Sequence, residues 1–187
     1  MTTTPASRPS TVQRLRLPVL TAYLWVMTVL LGAIVLETLM VYPNVFADPP
    51  GSLGLTMEFL SVTGPSDFFP PLGFASWVLG AAAVLLCWRQ RDARRWTLLS
   101  VVMIVCEGVA SMLYFWPRND IMFVEGLEVH SAEYLVQVAQ EFETWHWASR
   151  MGFNVVAAVA AFLAFLAVYR AHVARRLPAA VPAAVAA

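Results

Sequence analysis

The sequence predicts an all-α membrane protein, a bundle of four transmembrane helices with both termini in the cytoplasm. Three observations carry this: composition, four long apolar runs, and a one-sided distribution of arginine. Hydrophobic residues make up 59% of the 187 positions and charged residues 13%, about half the charged share of a typical globular chain. The mean hydropathy is +0.66. Such a composition calls for lipid as the solvent of much of the surface. The formal net charge is zero, which gives no footing for nucleic acid as a partner. Every basic residue is Arg and none is Lys, and with the abundant Ala this composition suggests a bacterial source of high GC content.

A hydrocarbon core about 30 Å thick needs roughly 20 helical residues to cross it. The runs that meet this are residues 18–41, 71–88, 96–116 and 147–169. Pro18 falls in the first turn of the first run, where a missing N–H is harmless. Pro117 is expected to stop the third, and Tyr42-Pro43-Asn44 to end the first. Arg8, Arg14 and Arg16 precede the first run. Arg89, Arg91, Arg94 and Arg95 fill the link between the second and third, and Arg170, Arg175 and Arg176 follow the fourth. By the positive-inside rule that side is cytoplasmic; with the bacterial source that composition suggests, the inner membrane is the expected location. The opposite loops, residues 42–70 and 117–146, are acidic, with Arg118 their one base. Trp88, Trp96 and Tyr169 suit the inner interface; Tyr42, Phe68, Phe69, Tyr114, Trp116, Trp145 and Trp147 suit the outer one. The first run is longer than a signal-peptide core and no A-x-A site follows it, so it is expected to be a retained anchor.

The divisions expected are a disordered cytoplasmic N-terminus over 1–16, a transmembrane domain over 17–172 and a disordered tail over 173–187. Met1–Ser10 and the Ala- and Pro-rich Leu177–Ala187 are the clearest disordered stretches. In the second outer loop, Leu135, Val138, Phe142 and Trp145 recur at helical spacing opposite Glu133, Gln137, Gln140 and Glu141. This predicts an amphipathic helix over 128–146, on the membrane surface or capping the bundle. A shorter helix over Leu53–Leu60 would help to roof the outer mouth. Gly73, Ser76, Gly80 and Ala83 give the second span a small-residue face for close packing. Cys87 and Cys106 lie in apolar runs without a C-x-x-C pair, and read as packing residues.

Functional expectation rests on ionisable groups within the spans. Each costs about 2.5–3.5 kcal/mol at the membrane centre if unpaired, so Glu37, Glu107 and Arg150 should face inward. At 1.5 Å per residue, Glu37 lies about 7–8 Å and Glu107 about 13 Å below the outer end of their spans, with Arg150 and Asn154 about 5 and about 11 Å below Trp147. His146, Arg150 and Asn154 are spaced i, i+4, i+8 on one helix face. That face could meet Glu37 and Glu107 in a polar pocket in the outer half of the bundle, with Asn44 and Asn119 at its mouth. An Arg150–Glu ion pair fixing helix register is the structural alternative. Carboxylate and imidazole suit iron or zinc, but no E-x-x-H or H-x-x-x-H motif is present, and no metal site is expected. His130 and His172 lie away from the cluster.

On Tyr42-Pro43-Asn44, Trp116-Pro117-Arg118-Asn119 and the Trp-rich entry Trp145-His146-Trp147-Ala148-Ser149-Arg150, the chain resembles the anthrone-oxygenase-like family of four-span membrane proteins over about residues 18–170. The family's usual pattern in the third element is a Trp, an Asn-His pair and then Arg; His146 and Trp147 are arranged differently here. The resemblance implies, for some members, cofactor-free oxygenation of anthrones to anthraquinones, while most members are domains of unknown function. Carried over, Glu107 or His146 would be the base and Arg150 would stabilise the resulting anion; Glu37, Asn44, Asn119 and Asn154, read from their placement in this sequence, are the candidate ligand-binding residues. No cofactor is required by the sequence. The competing readings are a non-catalytic ligand-binding or accessory membrane subunit, and transport of a small solute. Transport is disfavoured unless the chain forms a homo-oligomer, since four spans are few and no broken or repeated helices are evident. In the oxygenase reading the substrate is a lipophilic small molecule that enters from the bilayer.

Overall fold

In the computed structural model, which describes residues 10–176, helix dominates and no strand is present among the described residues. Five helical runs account for it: α1 (Thr11–Val45), α2 (Gly51–Phe59), α3 (Pro65–Cys87), α4 (Arg91–Val129) and α5 (Ala132–Arg176). All but α2 are long and apolar enough to cross a membrane. They pack as a ring, α1 against α3 and α5, and α4 against α3 and α5. Arg16 Nε donates to Leu86 O at 2.7 Å and Gln90 Nε2 to Ala167 O at 3.2 Å. The start of α1, the α3–α4 link and the last turns of α5 therefore share one end of the bundle.

The interior at this end is narrow. Tyr23, Met27, Ala83, Ala157, Ala161 and Ala164 are fully buried. Small side chains on α3 and α5 let backbones approach, as association in lipid requires. At Gly80 an added Cβ would lie 2.7 Å from Val101 Cγ2, and at Gly108 one would lie 2.5 Å from Trp77 Cζ2. Ser76 and Ala83 are buried beside Gly80, whereas Gly73 meets nothing. Cys87 is buried in the same core and Cys106 partly so. Three polar groups cross this layer with their bonds satisfied: Ser100 Oγ donates to Ala157 O at 2.7 Å and accepts from Tyr23 Oη at 2.7 Å. The outward faces remain apolar, with Trp25, Leu39, Phe74, Leu85, Leu113 and Val159 exposed, as contact with lipid demands.

The ends of the helices depart from expectation. A capping box at Ser10 and Gln13 starts α1 at Thr11, and α5 runs to Arg176, so residues 11–16 and 173–176 are helical. The disorder expected for residues 1–9 and 177–187 lies outside the described residues. Pro117 does not stop the third span; α4 continues past it to Val129, and α1 likewise passes Pro43 to Val45. The reason is local. A proline inside an α-helix lacks its N–H and collides with the carbonyl four residues back. Immediately before each proline the helix loosens into a π turn, Glu37–Val41 and Ser111–Phe115. There Tyr42 N–H bonds to Glu37 O and Trp116 N–H to Ser111 O, five residues back. Two further π turns occupy Ile121–Glu125 and Trp147–Met151. The first of these ends at Gly126, whose φ of 51° suits only glycine without strain.

The helix expected over 128–146 spans Ala132–His146, capped by Ser131, and runs through the Trp147–Met151 π turn into the fourth span. At 1.5 Å per residue α5 is about 67 Å long, more than twice the thickness of a hydrocarbon core. It is therefore longer than a single crossing needs. Leu135, Val138 and Phe142 point inward as their spacing predicts, joined by Ala139 and His146, while Trp145 is 55% exposed. They form a second core with Val45, Leu53, Phe115 and Met122. The short helix expected over Leu53–Leu60 is α2, which buries Leu53 in that core.

Candidate functional site: a cavity over a buried ion-pair cluster

Acid and base groups from α1, α4 and α5 converge between the two cores. Arg150 Nε donates to Glu107 Oε1 at 3.1 Å, and Arg150 Nη1 lies 3.9 Å from Glu37 Oε2. Tyr42 Oη joins them, donating to Glu37 Oε2 at 3.3 Å and accepting from Arg150 Nη1 at 3.4 Å. Ser111 Oγ donates to Glu107 Oε1 at 2.9 Å. The guanidinium carbon lies 5.3 Å from the Phe69 ring centroid and 5.6 Å from that of Phe115. Glu37 is 7% exposed and Arg150 8%. Removed from water, the guanidinium is supported by two carboxylates, a phenol and two ring faces.

The helical distortions place these groups. Glu37 and Thr38 open the π turn of α1, Ser111 opens that of α4, and Arg150 lies in that of α5. The wider turn sets Tyr42 against Glu37 at a spacing of five, which an ordinary helix would splay to different faces. Single π turns of this kind recur at functional sites.

The expected face of α5 is real: His146, Arg150 and Asn154 are all buried. Their partners differ from expectation. Thr38 Oγ1 donates to Ile34 O at 2.6 Å and so accepts at 2.7 Å from the hydrogen on His146 Nε2. His146 also meets the Tyr42 ring edge-on at 4.7 Å between centroids, and its Nδ1 has no partner. Asn154 Nδ2 donates to Arg150 O at 3.0 Å, leaving Oδ1 unpaired. Asn44 is exposed and donates to Met40 O at 2.6 Å.

Above the cluster is a cavity of about 620 Å³, bounded by α1, α2, the start of α3, the end of α4 and Arg150 of α5. Glu37, Tyr42, Thr56, Ser66, Asn119, Asp120 and Arg150 are its polar walls; Val41, Val45, Met57, Leu60, Phe69 and Phe123 are among its apolar ones. Pro65, Ser66, Trp116 and Asp120 at its rim are exposed. Of the residues singled out from sequence, Glu37, Asn119 and Arg150 line this space. Glu107 sits behind Arg150, and His146, Asn154 and Asn44 are not on its walls. Among the described residues no three of His, Cys, Asp and Glu are grouped to hold a metal.

Sequence reasoning missed Tyr42, Thr38 and Phe69 as members of the site. Tyr42 and Phe69 read as interfacial aromatics, and Thr38 as one more span residue. The available signal was Tyr42 next to Pro43, since a proline that does not end a helix must distort the turn holding Glu37. Asp120, counted with the acidic loop residues, was legible as a rim charge once Asn119 was placed at the mouth.

Comparison of the chain with protein-family models, with curated proteins and with solved structures returns no match.

Proposed function

We propose that the protein is a multi-pass membrane protein that binds a lipophilic small molecule in the cavity above Arg150. The observation that carries this is the pairing of a 620 Å³ space with a nine-tenths-buried carboxylate and guanidinium on its wall. Small-molecule sites are concave, mainly apolar, about 300–1,000 Å³ in volume, and fixed in orientation by a few polar groups. A cluster serving only to lock helix register needs no such space. The positive-inside rule supports a cytoplasmic location for both termini, and the Arg- and Ala-rich, Lys-free composition supports the bacterial inner membrane as the site. The cavity then lies in the outer half, within reach of molecules from the bilayer or beyond it.

The test is equilibrium binding of a naphthalene-based probe to the purified protein in lipid nanodiscs, beside Val41→Trp, which fills the cavity. Saturable binding to the native chain and its loss in the variant, at unchanged helicity, is the expected result. Equal, non-saturating partition into both refutes the reading. Cysteines introduced at Asp120 and Arg91, in a Cys87→Ala, Cys106→Ser background, test orientation. An impermeant thiol reagent applied to intact cells should label the first and spare the second.

A second reading follows from the anthrone-oxygenase-like resemblance, and one observation favours it: a carboxylate that could take a proton, Glu37, is on the wall beside a cation. In that reading Glu37 takes the proton that the sequence alone gave to Glu107 or His146. A bound anthrone loses its acidic C–H proton to Glu37, and the carbanion is stabilised by Arg150. It reacts with dioxygen, giving quinone and water from one anthrone and one O₂. Oxygen uptake accelerated by the native chain and not by Glu37→Gln is expected; rates equal to autoxidation in both exclude this chemistry.

A further inference from the structure

We infer that the ligand of this cavity is a lipophilic organic ammonium, its charged head held by Glu37 and Asp120 and its body by the apolar and aromatic walls. The inference rests on the cavity being a binding site and adds the chemical class that it takes.

Charge is the first argument. The walls supply two carboxylates, Glu37 and Asp120, and one cation, Arg150. That cation is already committed, with Nε on Glu107 at 3.1 Å and Nη1 on Tyr42 Oη at 3.4 Å. Glu107 behind it and Glu37 at 3.9 Å share that guanidinium, and Asp120 at the rim forms no ion pair among the described residues, so carboxylates outnumber cations around the cavity. The nearest other base along α4, Arg118, bonds Glu141 at 3.1 Å and stacks 3.5 Å from the Tyr114 centroid. An anionic ligand would add to this surplus, whereas a cation offsets it.

Hydrogen bonding agrees. Both contacts of Glu37 within the cluster, from Tyr42 and from Arg150, use Oε2. Oε1 is bonded by no donor among the described residues, on a side chain that lines the cavity and is nine-tenths buried. Oε1 is not among the buried unpaired atoms, so it opens onto the cavity, where it can accept from a ligand; an alkylammonium brings up to three donors.

The remaining walls select an organic cation over a metal ion. Tyr42, Phe69, Trp116 and Phe123 are aromatic walls, of which Phe69 already bears Arg150. Ring faces attract ammonium and guanidinium groups. A divalent metal would need about six oxygen ligands, whereas the walls beyond the two carboxylates are mainly carbon. Val41, Val45, Met57 and Leu60 leave room for an apolar body.

Three probes sharing one ring system discriminate head groups: naphthylmethylammonium, naphthol and naphthoate, titrated calorimetrically into the native chain in nanodiscs of zwitterionic lipid. The ammonium should bind at least about tenfold more tightly than either of the others. Glu37→Gln should reduce that preference by about tenfold or more. Asp120→Asn, at an exposed position where folding is not at risk, should reduce it by a smaller factor. Tighter binding of naphthoate or naphthol, or a preference unchanged in both variants, overturns the inference while leaving the cavity a binding site. Failure of all three probes to saturate the native chain counts instead against the binding reading on which it depends.

Discussion

Replacing Arg150 with Met removes the cation from a cluster that holds two carboxylates out of water. In the native chain the guanidinium is 3.1 Å from Glu107 and 3.9 Å from Glu37, and Tyr42 and the Phe69 ring complete its surroundings. A buried ion pair is poor evidence of net stability, because desolvation offsets attraction. Breaking one by deleting a single partner is different, since the remaining charge stays buried without compensation, at about 3–5 kcal/mol. Here two carboxylates would be stranded side by side, so the upper half of that range applies. For a chain of this size each kcal/mol lowers a melting temperature by about 2–4 °C, giving a fall of roughly 8–20 °C. The assay is reversible unfolding in mild detergent with added SDS, read by circular dichroism. Arg150→Met combined with Glu37→Gln and Glu107→Gln should recover most of the loss, because no charge is then left unpaired. A single variant as stable as the native chain would refute the reasoning. So would a triple variant no better than the single one.

Three further outcomes are expected. Gly108→Ala should destabilise by about 1–3 kcal/mol, since its Cβ would stand 2.5 Å from the Trp77 ring; Gly73→Ala, with nothing within reach, should be neutral in the same unfolding assay. Thr38→Val leaves the His146 Nε2 hydrogen without an acceptor and should lose about 1–3 kcal/mol, with Thr38→Ser close to native. Tyr42→Phe removes a hydroxyl that bonds both Glu37 and Arg150; it should lose about 1 kcal/mol and weaken binding of any cavity ligand, checked by unfolding and by calorimetry.

Hydropathy and small-residue spacing made the four spans and their close packing legible, because both are averages or periods over many residues. Depth along a helix was equally accessible: counting residues put Glu37, Glu107 and Arg150 at overlapping levels, and they do meet. What depended on azimuth was harder. Glu107 was placed in the pocket by its level and His146 by the face it shares with Arg150, yet one lies behind Arg150 and the other turns to Thr38. A π turn shifts the facing of everything beyond it, and a periodic reading at 3.6 residues per turn does not register that shift. Pro117 misled for a related reason. Proline's rules forbid an ordinary helical turn, not a widened one. The wall contributed by α2 was only partly visible, since Thr56, Met57 and Leu60 sit in a short segment of weak pattern.

Each residue of an α-helix advances the chain by about 100° around its axis, and a π turn houses in effect one residue more than the regular repeat has room for. Shortening α1 by a single position within 37–41 would let the ordinary ladder close. Tyr42 and Val45 would then swing by nearly a third of a revolution, out of the chamber they now wall. The binding geometry is in this sense tied to chain length as much as to chemistry. A one-residue deletion at that point could erase the chamber while leaving every named side chain present, a change that an inventory of residue types would fail to detect.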